Sequence, residues 1–313
     1  MGEATMIDLG MLRSLSLSAP APRLNRRLLD LLSVDYRRGT EVVVEGLERL
    51  PQDEPVFIAM NHTDRFSYGP LMWELHRRGL PRYLATWIKG KYFKNPAMSR
   101  LFLHTGNIPI PSRGYLIAAQ LQLRTGAVLD PVAYRTLRRL VDGEEDVDVA
   151  SIADLTASWG GPVVFAAAIR RLFADLMYEV LRLHREAFGE GMRHVLVFPE
   201  GTRTPRLIEG RTGLVEVSQQ LGVPIVPIAC SGGDRLYPGN VPLSSGGKVV
   251  YRVGHPLRVD GPELGPHRIT APFVPFSPEA GSAHGVRFRA LTDIVMAHID
   301  GMLDEQYRRL PEA

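Results

Sequence analysis

At 313 residues, 45% of them hydrophobic, the chain can bury a sizeable core as one large domain, alone or with a helical insertion. A charged fraction of 23% is ordinary for a globular protein and argues against disorder. A formal net charge of +3 is too small to argue for a nucleic-acid partner.

The opening residues, Met1–Met6, lack the basic start and long apolar core of a signal peptide. No uninterrupted apolar run reaches the ~18 residues of an obvious spanning helix. The expectation is a cytoplasmic protein that meets the inner face of the membrane from its surface. Residues 1 to about 22 are rich in Ser, Ala and Pro and are expected to be loosely ordered. Leu24–Leu32 predicts a short amphipathic helix, which either packs on the core or lies at a lipid interface with arginines at headgroup level. Arg23, Arg26, Arg27, Arg37 and Arg38 cluster around it, and a second basic cluster runs from Arg77 to Arg100. Each is either a solvated surface or a face apposed to anionic headgroups. Residues 1–38 are therefore set apart as an N-terminal, membrane-proximal segment, and 39–313 as the main domain.

Strands are predicted at Glu41–Glu45, Val56–Met60, Arg82–Trp87, His194–Phe198, Val223–Cys230 and Lys248–Val253, with helical patterns such as Gly69–Arg78 and Gly213–Leu221 between them. That alternation is an α/β arrangement. Between about 114 and 193 the pattern changes. Ile169, Leu172, Phe173, Leu176, Met177, Val180 and Leu181 recur with a 3.6-residue period, which predicts a long helix and a helical insertion, and Ile169–Leu181 joins Leu24–Leu32 as a candidate lipid-contacting segment. The acidic run Asp142–Asp148 reads as a solvated loop, and no metal is assigned. The lone cysteine, Cys230, rules out an internal disulfide, fits a reducing compartment, and at the end of an apolar strand reads as a buried, inert thiol. The chain turns Pro/Gly-rich from Val253 to Ser282, and Phe288, Leu291, Ile294, Val295 and Ile299 mark a final helix.

Two loops concentrate the reactive side chains. Asn61 and His62 follow the apolar run Pro55–Met60; Phe198–Arg203 follows Val195–Val197. Open α/β sheets keep their ligand crevices where strands spill into loops like these. His62 supplies a base with an ordinary pKa near 6.5. Arg203 and Arg113 can each fork onto two phosphate oxygens. Gly201 lets the chain approach a substrate closely. Together these residues suit moving a group onto a hydroxyl beside a phosphate.

Four blocks in order carry a resemblance to the glycerophospholipid acyltransferases, the lysophosphatidic acid acyltransferase (PlsC-like) superfamily. They are Asn61-His62-Thr63-Asp64; Gly106–Arg113, similar to Gly-x-Ile-x-x-x-Arg; Phe198–Arg203, an identical match; and Val223–Ile228. Lys89 lies in a lysine-rich stretch similar to the one that precedes the family's second block. The resemblance covers roughly 40–255 and implies a central mixed, mostly parallel sheet flanked by helices, here with the insertion at about 114–193. It also implies His62, Asp64 and Glu200 as catalytic residues and Asn61, Ser67, Lys89, Arg113, Gly201, Thr202 and Arg203 as substrate-binding ones. Glu200 would either hold the acceptor hydroxyl or brace its loop through backbone amides.

One block departs from the family pattern. An Asp is expected after His and four further residues, and that slot holds Ser67; the nearest carboxylate is Asp64. Either Asp64 or Ser67 orients the imidazole, or turnover is impaired, since a neutral partner cannot offset the charge of a developing imidazolium. The implied reaction is direct transfer of a fatty acyl group from acyl-CoA or acyl carrier protein to a lysophospholipid, with 1-acyl-sn-glycerol 3-phosphate as the first-choice acceptor. No cofactor is implied beyond the thioester co-substrate. The implied partners are that donor, the lysophospholipid and an anionic membrane surface. The alternatives are acylation of another lipid or glycolipid hydroxyl, and a catalytically impaired homologue that binds lipid or acyl thioester.

Overall fold

Short β-branched runs become the strands β1 (Thr40–Glu45), β2 (Phe57–Met60), β3 (Tyr83–Lys89), β4 (Ile108–Ile110), β5 (Arg193–Val197), β6 (Ile225–Ser231) and β7 (Gly247–Val253) of one sheet, in the order β1-β7-β6-β2-β5-β3-β4. The computed structural model describes residues 7–18, 39–80, 82–126 and 129–310. Every neighbouring pair is parallel except β6 with β7, so the sheet is mixed and mostly parallel, as expected. The three central strands, β2, β5 and β6, are buried at every residue, which a parallel sheet covered on both faces requires. Pro227 sits inside β6 without breaking it. The ladder to β7 begins one residue later, at Ile228, and the Pro227 carbonyl still accepts the Gly254 N–H at 2.8 Å.

Around the sheet lie α1 (Leu9–Ser14), α2 (Tyr68–Arg77), α3 (Pro96–His104), α4 (Arg113–Thr125), α5 (Pro131–Asp142), α6 (Ala153–Thr156), α7 (Pro162–Phe188), α8 (Gly213–Leu221), α9 (Gly233–Leu236) and α10 (Pro278–Met302). Local chemistry sets several ends. Ser112 caps α4 through the Tyr115 N–H, and Asp130 caps α5 through the Val132 and Ala133 N–H groups, with Pro131 at the first helical position.

Two expectations need correction. Residues 7–18, within the stretch expected to be loose, are packed: Ile7, Leu12 and Leu17 belong to the same buried cluster as α7. Arg182 on α7 donates to the Leu12 and Leu15 carbonyls at 2.8 and 3.1 Å, and Glu186 accepts the Leu17 N–H at 2.7 Å. The apolar side chains of this segment have found a partner helix, and that outweighs its polar composition. The expected Leu24–Leu32 helix, with Arg23, Arg26, Arg27, Arg37 and Arg38, lies outside the described residues.

The second correction concerns the insertion. It is helical, but its periodic stripe does not face outward. Ile169, Phe173, Leu176, Met177, Val180 and Leu181 are buried in the larger of two apolar clusters, so α7 is a core helix and these residues are no lipid surface. No single described helix is long and apolar enough to cross a membrane. Ala150–Trp159 and Pro162–Phe188 meet that test only as a pair bent by 61°.

Candidate active site

Strands β2, β5, β3 and β4 run parallel and side by side, so the residues that follow each of them emerge at one end of the sheet. β2 delivers Asn61 and His62, and β5 delivers Phe198–Arg203. β3 ends in Lys89, in register with Ile110, and β4 leads within three residues to Arg113. The first three blocks thus emerge at one end because the topology is parallel, whereas the fourth, Val223–Ile228, opens β6 at the other end.

The loops after β2 and β5 are latched together. The His62 N–H donates to Glu200 Oε1 at 2.6 Å, and the His62 carbonyl accepts the Thr204 N–H at 2.9 Å. The Phe198 ring stacks on the imidazole with centroids 4.0 Å apart. Glu200 Oε2 accepts the Thr204 hydroxyl at 2.7 Å and the Ile208 N–H at 3.3 Å. Burial raises the Glu200 pKa, while these three donors and the nearby Arg309 pull it back. Both oxygens are committed to protein donors, so Glu200 is the brace of this loop. Glu200→Ala would strand buried N–H groups, at about 1–3 kcal/mol for each unsatisfied donor. A thermal-unfolding midpoint lowered well below wild type is therefore expected, and an unchanged midpoint would show that the latch contributes nothing.

His62 is well placed as a neutral base. Burial first, and then the charges of Arg203 and Lys89, lower its pKa to about 4. Its Nδ1 is buried and has no hydrogen-bond partner among the described residues. Neither expected orienter reaches it. Asp64 Oδ1 accepts the Phe66 and Ser67 N–H groups at 2.7 and 2.6 Å, fixing the entry to α2. The Ser67 hydroxyl bonds the Cys230 thiol. The ring is held instead by its backbone latch and by Phe198.

Asn61, expected at the substrate, is used up in the fold: its side-chain amide donates to the Cys230 carbonyl at 2.9 Å and accepts the Cys230 N–H at 2.7 Å. It acts as one more rung between β2 and β6, and so positions the next residue, His62. Cys230 is fully buried and burial raises its pKa, so it is no nucleophile.

Lys89 Nζ donates to the Gly201 carbonyl. Burial, then Lys91 and Arg211, lower the Lys89 pKa. Gly201 has φ +65°, and a Cβ there would lie 3.1 Å from Cδ and Nε of Arg211. Glycine thus supplies a left-handed turn and room for that arginine. Arg203 and Thr202 are exposed. Arg211 was not anticipated; it belongs to no motif, and only the fold brings it to Lys89, whereas Lys91 comes from the same lysine-rich stretch. Arg113 is not free in the same way. Its guanidinium pairs with Asp142 at the end of α5 at 2.9 Å and lies over the Phe173 ring at 5.8 Å. Asp142 also holds Arg138 at 2.5 Å. An open pocket of about 360 Å³ between Pro55, Phe188, Leu221 and Val223 lies at the opposite end of the sheet and is no part of this site.

His62, with Arg203 and Lys89 beside it and its loop latched to the one after β5, is an arrangement able to take a proton next to a bound anion. A family profile described as Acyltransferase matches residues 41–130 and 158–231, more than half of the chain. The chain belongs to this acyltransferase family, and its four blocks place it in the glycerophospholipid acyltransferase superfamily. The crystal structure of the 1-acyl-sn-glycerophosphate (LPA) acyltransferase PlsC from Thermotoga maritima aligns with a TM-score of 0.40 at 17% identity, over 86% of this chain and 80% of that chain. No curated protein matches.

Proposed function

We propose that the protein moves a fatty acyl group from an acyl thioester, acyl-CoA or acyl carrier protein, to the free hydroxyl of a lysophospholipid, with 1-acyl-sn-glycerol 3-phosphate as the leading acceptor. The observation that carries this reading is the pairing of His62, neutral with a pKa near 4, with the cations of Arg203 and Lys89 beside it. The cations would hold the acceptor phosphate, and the imidazole would take the hydroxyl proton as the oxygen attacks the thioester carbonyl. The thiol then leaves and takes up a proton. With Cys230 buried, transfer is direct and no acyl-enzyme forms.

A second reading has one observation behind it. Asp142 occupies Arg113, the other arginine suited to a phosphate, so the acceptor is a lipid or glycolipid hydroxyl carrying less charge at that position. Thiol release from acyl-CoA with a panel of acceptors, with and without a phosphate monoester, separates the two. Release with none of them would favour a homologue impaired by its unpartnered Nδ1.

Arg203→Ala tests the placement of the phosphate. A charge-assisted contact at an exposed arginine is worth about 1.5–3 kcal/mol, so the acceptor KM should rise roughly 10- to 150-fold while the donor KM changes little. A rise confined to the donor KM would put Arg203 on the thioester side.

A further inference from the structure

The turn and helix that follow β3 leave an apolar face open beside the site. Tyr92 is 39% exposed, Met98 39% and Leu101 42%, whereas Phe93 and Ser99 on the opposite side are buried. The Phe93 and Phe102 rings pack at 5.9 Å, and the Asn95 side chain caps α3 through the Ala97 and Met98 N–H groups, so the helix is fixed in place. Exposure of Met98 and Leu101 is therefore a property of the fold and is not fraying. Lys91 and Arg100 are exposed beside them, and neither has an ion-pair partner among the described residues. The surrounding chain is one-sided in charge: residues 75–129 contain nine Lys or Arg and no Asp or Glu.

We infer that this face is the surface by which the protein lies on an anionic lipid bilayer, with Tyr92, Met98 and Leu101 entering the headgroup boundary and Lys91 and Arg100 at headgroup level. The choice of occupant follows from charge. A second copy of the chain would oppose cation to cation, whereas an anionic bilayer complements the cations and accepts the apolar side chains. Position supports it as well. Lys89 reaches the Gly201 carbonyl in the site, and the Gly90–Lys94 turn begins at the next residue, so docking here sets the site at the membrane surface. The inference rests on the lipid acceptor proposed above, whose chain resides in the bilayer. It replaces the buried stripe of α7 as the contact surface.

Co-sedimentation with phosphatidylcholine vesicles, with and without phosphatidylglycerol, tests it. Wild type should bind the phosphatidylglycerol-containing vesicles and release as salt rises. The double variant Met98→Gln/Leu101→Gln should bind about tenfold more weakly, and Arg100→Gln about fivefold more weakly at low salt. Both should transfer acyl groups at the wild-type rate to a short-chain acceptor dissolved as monomers. Equal binding by the double variant and wild type, or no preference for anionic vesicles, would overturn the assignment. So would loss of transfer to the dissolved acceptor, which would make Met98 and Leu101 part of the site. A wild-type protein that acylates no lipid hydroxyl, with vesicle binding still lost in the variants, would sink the proposed reaction and leave the docking face standing.

Discussion

Replacing His62 with alanine is expected to lower acyl transfer by about 10²–10⁴-fold, the usual loss when a general base is removed. The fold should survive, because the contacts that hold position 62 are made by its backbone: the N–H to Glu200 and the carbonyl to Thr204. The stacking on Phe198 is lost with the ring. The pH profile gives a second check. Because burial, Arg203 and Lys89 hold the imidazole pKa at about 4, the base stays unprotonated far below neutrality. The acid limb of kcat/KM should therefore fall near pH 4–5 and not near 6.5. Near-wild-type transfer by His62→Ala would remove His62 from the mechanism, and an acid limb centred at 6.5 would show that the ring is solvated.

Acid should unfold the protein through two histidines remote from the chemistry. His184 lies between α7 and β3, where its Nε2 accepts the Trp87 indole N–H at 2.8 Å and its Nδ1 faces the Val180 carbonyl at 2.7 Å. That pairing admits only the neutral ring, and burial lowers the pKa to about 4. His194 in β5 accepts the Val56 N–H on Nδ1, and burial, followed by Arg82, lowers its pKa to about 3. In the unfolded chain both protonate near 6.5, so below that pH the unfolded state binds protons that the fold refuses. Stability is fully present above pH 6.5 and is lost as pH falls toward 4, by on the order of 3 kcal/mol for each ring. Against a typical total of about 5–15 kcal/mol, that is a large share. Thermal unfolding should show a steep drop between pH 6.5 and 4.5, shallower in His184→Gln than in wild type. A midpoint independent of pH over that window would be incompatible with two buried neutral rings.

The sheet was largely legible from the sequence because its central strands are buried on both faces and read as continuous apolar runs. Val56–Met60, His194–Phe198 and Val223–Cys230 fall within two residues of β2, β5 and β6 at each end, and Gly213–Leu221 coincides with α8. β4 was missed: Ile108–Ile110 is three residues with a proline in the middle, too short to show a period. α4 and α5 lay inside a segment read only as an insertion, and their caps at Ser112 and Asp130 are the signals that would have found them. At the site, residue types and spacing identified which side chains gather but not what each one touches. Asn61 is consumed by Cys230, far along the chain, and Glu200 by the His62 backbone; such pairings depend on which strands are neighbours. The choice between Asp64 and Ser67 as orienter had the same limit. Only the loop geometry shows that Asp64 turns to the amides at the start of α2 and Ser67 to the thiol of Cys230.

The ion pair between Arg113 and Asp142 has an evolutionary consequence. Arg113 belongs to one of the four blocks that define the superfamily, but its counter-charge sits on α5, in a segment outside all of them. A change at Asp142 alters the charge at the rim of the site and leaves the base, its latch and the sheet untouched. For the acceptor proposed above, headgroup preference can therefore drift through changes in the insertion that leave the loops holding His62 and Glu200 as they are.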